Sequence, residues 1–283
     1  MYSRALGRRP GWEAPRGLTR RAGPLAVRTS GSGPPVVLLH GLIGSGRFWG
    51  HEYDQLAAYH FLVVPDLLGF GNSERPVHGY GPDDHASAVV AALDEVGVDR
   101  PALFGAHSLG CVVALRLAAV HPDRVERIVG FGPPLYPDRA RARLRIAGAS
   151  PMAKLFVLPG TAAERACRFV CEHRDAAAVV ARWTHPSLPP ELADDAVEHS
   201  WESYSETMDR CLLTGEPATW LSAIDVPICF VAGAADRVVD SAFLDELSER
   251  HPQLRVECWP GDHRLPLAHA RRCREHLGPA VTR

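Results

Sequence analysis

The stretch AHSLG sets Ser108 between small residues, where a short apolar run (PALFGA) gives way to a helical pattern (LGCVVALRLAAVHP). A sharp strand-to-helix turn forces its central residue into strained backbone, and bulky neighbours at −2 and +2 would clash there. A serine held in such a turn presents its Oγ at the end of a strand. A hydroxyl is a poor nucleophile by itself; it needs a base, and the base needs an acid to orient it. FVAGAADRVV places Asp236 just past a strand, and CWPGDHRLPL places His263 just past the next one. This assigns Ser108 as nucleophile, His263 as base and Asp236 as orienting acid, in the order Ser, Asp, His. His40-Gly41-Leu42 follows an earlier buried strand. The backbone N–H groups of Leu42 and Leu109 can then hold an oxyanion. Each residue also has a plainer reading: Ser108 as a helix N-cap, Asp236 as a turn residue capping the next helix, His263 as a surface loop histidine. Asp262 sits beside the histidine but points elsewhere. Asp66 and Ser73 of DLLGFGNS read as groups that organise their own loop.

These residues need a frame to hold them. Val36 to Leu39 is a continuous apolar run, as in a strand buried on both faces. A helical pattern covers Phe48 to Tyr59, then HFLVVPDLLGFGNS gives a strand to Val64 and a glycine-rich loop. DDHASAVVAALDEVGV is a helix with acidic residues in its first turn, where the macrodipole favours them. VERIVGFG, DVPICFVAG and LRVECWP add strands, SAFLDELSERHP a helix, and a last helix follows His263. Strands alternating with helices imply a parallel sheet covered on both faces. From Pro133 to Ala223 the strand signals stop and helical stretches alternate with PLYP, LPGT, THPSLPPE and TGEP. The expected organisation is an α/β core in two parts, 1–132 and 224–283, with a helical insertion at 133–223.

Within that insertion Trp201, Tyr204, Met208 and Cys211 recur at helical spacing. They either pack the insertion onto the core or roof a substrate pocket, to which His107 also belongs. Arg139, Arg141, Arg143 and Arg145 read as a solvated basic face. Cys167 and Cys171 are four apart on one helix face, but no further ligand stands at a recognisable spacing, so no metal site is expected. The formal net charge of −2 gives no footing for nucleic acid. No apolar run approaches the length of a membrane span. The arginine-rich N-terminal stretch lacks the apolar region of a secretory signal, and seven scattered cysteines read as free thiols. Together these point to a cytoplasmic location.

The sequence resembles the α/β-hydrolase fold superfamily from about Gly17 onward. The matching pieces are HGLIGSG as oxyanion loop, DLLGFGNS, AHSLG as nucleophile elbow, GAADRVV as acid loop and GDHRLPL as histidine loop. One such pentapeptide is weak; five pieces in order are specific. Ala106 stands where the family usually has glycine. The resemblance implies a mostly parallel eight-stranded sheet flanked by helices, with an inserted helical cap. It implies a serine hydrolase of the carboxylesterase kind that needs no cofactor or metal. Its substrate would be a small, largely apolar ester, thioester, lactone or related acyl compound. Haloalkane dehalogenases and epoxide hydrolases share the fold but use an aspartate where this chain has Ser108. C–C bond hydrolases keep the same three residues but usually place asparagine where His107 stands. Cofactor-free haloperoxidases, a lyase or cyclase, and a receptor-like binder remain alternatives.

Overall fold

The computed structural model describes residues 11–149, 153, 154, 157, 161–184 and 188–278. The first ten residues of the arginine-rich N-terminal stretch, and parts of the LPGT and THPSLPPE turns, lie outside the described residues. The eight strands are β1 (Thr19–Ala22), β2 (Leu25–Ser30), β3 (Pro35–Leu39), β4 (Phe61–Pro65), β5 (Ala102–His107), β6 (Val125–Phe131), β7 (Ile228–Gly233) and β8 (Leu254–Trp259). They form one sheet in the order β1-β2-β4-β3-β5-β6-β7-β8. The β1–β2 and β2–β4 pairs are antiparallel and all others parallel. The short β1 was not visible in the sequence, because TRRA turns only Ala22 inward.

The apolar runs form strands because both sheet faces are covered. Every residue of β3 and β5 is buried. On one face, Val37, Leu39 and Phe104 pack against α1 (Pro82–Glu95) and α2 (Leu109–Val120). On the other, Val36, Leu38 and Leu103 meet Trp49, Tyr53, Leu265 and Leu277. Each fully buried aliphatic side chain contributes roughly 1.5–3 kcal/mol. Asp83 and Asp84 occupy the first turn of α1, as the sequence implied.

The stretch from Phe48 to Tyr59 is not one helix. It breaks into a 3₁₀ turn (Gly46–Phe48), one α turn (His51–Asp54) and a second 3₁₀ turn (Gln55–Ala58). Trp49, Tyr53 and Leu56 all bury in one core, and the short turns let three side chains of different size reach it. Asp54 is also held by the buried Arg28 guanidinium, 2.5 Å away. The final helix is likewise split, into Leu265–Ala268 and Ala270–Leu277.

Between β6 and β7 the described residues contain helices and no strand. They include α3 (Arg139–Ala149), α4 (Thr161–Glu172), α5 (Arg174–Thr184), α6 (Pro190–Asp195) and α7 (Trp201–Thr207), the last running into a π-helical turn at Met208–Leu212, followed by short turns at Glu216–Thr219 and Trp220–Ala223. Since β6 and β7 are sheet neighbours, this segment leaves and rejoins at adjacent strands. Polar contacts fasten it to the core: Ser45 to Asp195 (2.5 Å), Arg75 to Glu198 (3.2 Å), His78 to Glu206 (2.7 Å) and His85 to Thr207 (3.1 Å). The arginine run corrects the sequence reading. It is no mere solvated face, because Arg141 and Arg145 both grip Asp240, whose side chain is 1% exposed. Arg139 pairs with Asp209. Among the described residues no helix is long and apolar enough to cross a membrane.

Candidate active site

Ser108 follows the last residue of β5 and precedes α2. Its backbone lies at φ 50°, ψ −116°, a region that a side chain occupies only under constraint. The constraint is local packing. Ser108 N–H donates to the Phe131 carbonyl at 3.0 Å, tying the turn to β6. A Cβ on Gly110 would lie 2.5 Å from the Leu39 carbonyl oxygen, so the +2 position must be glycine. At −2, Ala106 is fully buried, so the methyl group fits where a hydrogen is usual in the resembled family. The Ser108 side chain makes no capping bond to α2, so the N-cap role does not describe it.

Its Oγ instead lies 3.0 Å from His263 Nε2. On the far side of the imidazole, Nδ1 lies 2.8 Å from Asp236 Oδ2. A carboxylate can only accept, so Nδ1 carries the proton and Nε2 is left to accept from the serine. Asp236 is itself fixed, its Oδ1 accepting from Val238 N–H at 2.8 Å and Val239 N–H at 3.2 Å. Burial alone would raise this carboxyl, but the His263 hydrogen bond and the two N–H donors hold it below the usual carboxylate range. The three side chains come from the loops after β5, β7 and β8, all at the carboxyl ends of parallel strands. Asp262 points away, accepting from Arg264 N–H at 2.9 Å.

Two further positions support this arrangement without having shown in the sequence. Gly132, just after β6, has φ 63°, and a Cβ there would crowd His263 Nδ1 at 3.0 Å and Asp236 Oδ2 at 3.3 Å. Ile43 has φ 52°, rare for a β-branched residue, beside Leu42. The glycine in VGFGPP was a readable signal; nothing in the type of Ile43 could have announced its backbone. Upstream, His40 Nε2 accepts from Leu67 N–H at 2.8 Å, so Nδ1 donates to the Gly41 carbonyl at 2.7 Å. Burial lowers the pKa of His40, which suits a neutral brace for this loop. Among the described residues, neither Leu42 N–H nor Leu109 N–H donates to a protein acceptor. Asp66 and Ser73 do organise their loop: Asp66 accepts from Gly46 N–H (2.7 Å) and Asn72 N–H (2.8 Å), and Ser73 Oγ donates to the Asp66 carbonyl (2.6 Å).

His107 is buried beneath this arrangement. Its ring stacks on Phe48 at 4.5 Å, and its Nε2 donates to the His263 carbonyl at 2.8 Å. Burial pushes His107 down to about 3, so it is a neutral strut under the histidine loop.

A cavity of about 590 Å³ opens over Ser108. Core residues Leu42, His107, Ser108 and His263 form its floor, and Val180, Val197, Tyr204 and Met208 from the helical segment form much of its wall. The lining is largely apolar.

Comparison with known proteins agrees with this fold. Residues 34–156 match the family model described as alpha/beta hydrolase fold. The solved structure of E-2-(acetamidomethylene)succinate hydrolase superposes with a TM-score of 0.73 at 19% identity, covering 92% of this chain and 97% of that one. The chain has the α/β-hydrolase fold. A 2-hydroxymuconate semialdehyde hydrolase of Pseudomonas is 36% identical over 110 residues, 38% of each chain. The lipase LipV of Mycobacterium tuberculosis is 37% identical over 116 residues, 40% of this chain and 42% of the lipase. The matched stretch spans about a third of the length of the curated relatives.

Two expectations change with the structure. Trp201 does not line the cavity; it is part-buried against the core, its ring 6.2 Å from that of Tyr204. The helix gives way to a π turn after Thr207, which carries Met208 and Leu212 to the cavity wall while Trp201 stays on the packing side. The expectation that no third ligand accompanies Cys167 and Cys171 also fails. His199 lies against them, brought there by the fold from 28 residues beyond Cys171.

Proposed function

We propose that this protein is a serine hydrolase that cleaves a small-to-medium, largely apolar ester, thioester, lactone or related acyl substrate. The observation that carries the reading is the continuous relay from Asp236 Oδ2 through His263 to Ser108 Oγ, with spacings of 2.8 and 3.0 Å, ending in the apolar cavity. Ser108 Oγ attacks the acyl carbon while His263 Nε2 takes its proton. Asp236 keeps the imidazole in the required tautomer and stabilises the imidazolium. The Leu42 and Leu109 N–H groups receive the oxyanion, helped by the positive end of α2. His263 returns the proton to the leaving group, and water then attacks the acyl-enzyme with His263 again as base. The segment at 133–223 acts as a cap that shapes the acyl pocket, with no cofactor required.

A C–C bond hydrolase on the same three residues is the second reading, favoured by the muconate semialdehyde hydrolase among the relatives. Such a substrate carries a carboxylate, and among the described lining residues there is no Arg or Lys to receive one. The lining therefore favours an uncharged acyl group.

A fluorophosphonate probe tests the proposal. One adduct per chain, mapped to Ser108 and lost in Ser108→Ala, is the expected result. An unlabelled wild-type protein, or a label on another serine, overturns it. Hydrolysis of p-nitrophenyl esters of graded chain length then separates acyl from C–C chemistry.

A further inference from the structure

Cys167 and Cys171 stand one turn apart on α4, with their sulfurs 4.0 Å from each other. His199, from the loop before α7, brings Nε2 to 3.3 Å from Cys167 Sγ. All three donor atoms lie within 4.8 Å of one another. A tetrahedral zinc with bonds of about 2.3 Å to sulfur and about 2.0 Å to nitrogen needs donors about 3.5–3.8 Å apart. The sulfur–sulfur and Cys167–His199 spacings are within a few tenths of an ångström of that range, a distance side-chain rotation covers. We propose that Cys167, Cys171 and His199 form a three-donor site for a thiophilic divalent cation, zinc foremost, in the wall of the cavity.

Several independent features support this. Two sulfurs and an imidazole are the soft and borderline donors that such ions select. Cys167 and His199 are buried, where competing water is scarce. The loop bearing His199 is already pinned against α4 and α5. Arg174 donates to the Val197 carbonyl at 3.2 Å and the His199 carbonyl at 3.0 Å, and Cys171 S–H donates to the latter at 3.3 Å. The donors thus converge before any ion arrives. Binding releases both thiol protons, and two thiolates with one divalent cation give a neutral centre. Cys167 and His199 also line the cavity, so a fourth ligand, water or an oxygen of a bound molecule, comes from the cavity side. The ion would join α4 to the loop before α7 and fix that part of the wall.

The test uses the full chain, purified with reductant, stripped by chelator and titrated with zinc alone by calorimetry and with cobalt alone by absorption. The expected result is one ion per chain, two protons released and the visible bands of tetrahedral cobalt thiolate. Cys167→Ser and Cys171→Ser should each weaken binding by more than about 100-fold, since losing an outer-sphere partner alone costs 10–100-fold. Cys258→Ser, at an exposed cysteine, should bind as the wild type does. Should the serine variants misfold by circular dichroism, the wild-type chain answers alone: zinc should shield the half-buried Cys171 from alkylation. Absence of saturable binding in the reduced chain, full binding in both folded serine variants, or an unshielded Cys171 at saturating zinc would each overturn the proposal.

Discussion

The rim of the sheet and the helical segment above it hold their residues in different ways. At the rim, Ser108, Asp236 and His263 come from loops whose roots are paired strands, and their polar atoms have assigned partners. Strain at Ser108 persists because Leu39, Phe131 and Gly110 leave the turn no alternative. The helical segment is fastened by charges and hydrogen bonds at its edges together with apolar contacts of Ile146, Cys211 and Leu212 to the core. It keeps apolar side chains in the open, with Phe169 61%, Val180 58% and Trp183 84% exposed. Under the proposed function, the difference teaches that reaction geometry and substrate fit are entrusted to separate structures. The first tolerates no displacement, whereas the second can be repacked without moving a reacting atom.

The largest test of that division is chemical. Asp236→Asn should lower the rate of probe labelling and ester hydrolysis by about 10⁴-fold while leaving the fold intact, because the amide favours the wrong imidazole tautomer. A loss below tenfold would mean the rim does not store the reaction geometry.

Next is the attachment of the segment. Asp240→Ala should cost about 2–3 kcal/mol in urea unfolding, because Arg141 and Arg145 lose a buried partner. That is below the usual cost of breaking a buried pair, since both arginines remain part-exposed. A change within 0.5 kcal/mol or so, the scale of ordinary surface substitutions, would show that the segment is held by apolar contact instead.

Acid should loosen the same junction. Burial, helped by the nearby Arg210 charge, pushes His85 down to about 3, and its Nε2 faces Thr207 Oγ1 of α7. A depressed histidine contributes stability above the unfolded pKa of about 6.5 and loses it as pH falls toward the folded value. The wild type should therefore lose about 2 kcal/mol from this group between pH 7 and pH 5, a loss absent in His85→Gln. Parallel stability curves for the two proteins would exclude His85 as the acid-sensitive contact.

The smallest effect concerns fit. Met208→Ala should shift kcat/KM between neighbouring acyl lengths by about 1 kcal/mol, near the value of one buried methylene. Trp201→Ala should shift all lengths together, because its ring packs on the core and not into the cavity. The reverse pattern would place the wall of the pocket on the wrong side of α7.

The sequence by itself determined the alternation of strands and helices, the strained turn at Ser108 and the chain order of serine, aspartate and histidine. These follow from local rules, since side-chain period, small residues and turn chemistry act over about ten residues. Tertiary structure alone decided the rest. It set Gly132 against a histidine 131 positions later, laid His107 under the His263 loop, turned Trp201 away from the cavity and carried His199 to two cysteines. It also broke the stretch from Phe48 to Tyr59 into short turns so that Trp49, Tyr53 and Leu56 could fill one core. The physical reason is that such meetings depend on how a twisted sheet superposes distant loops, and no local pattern carries that information.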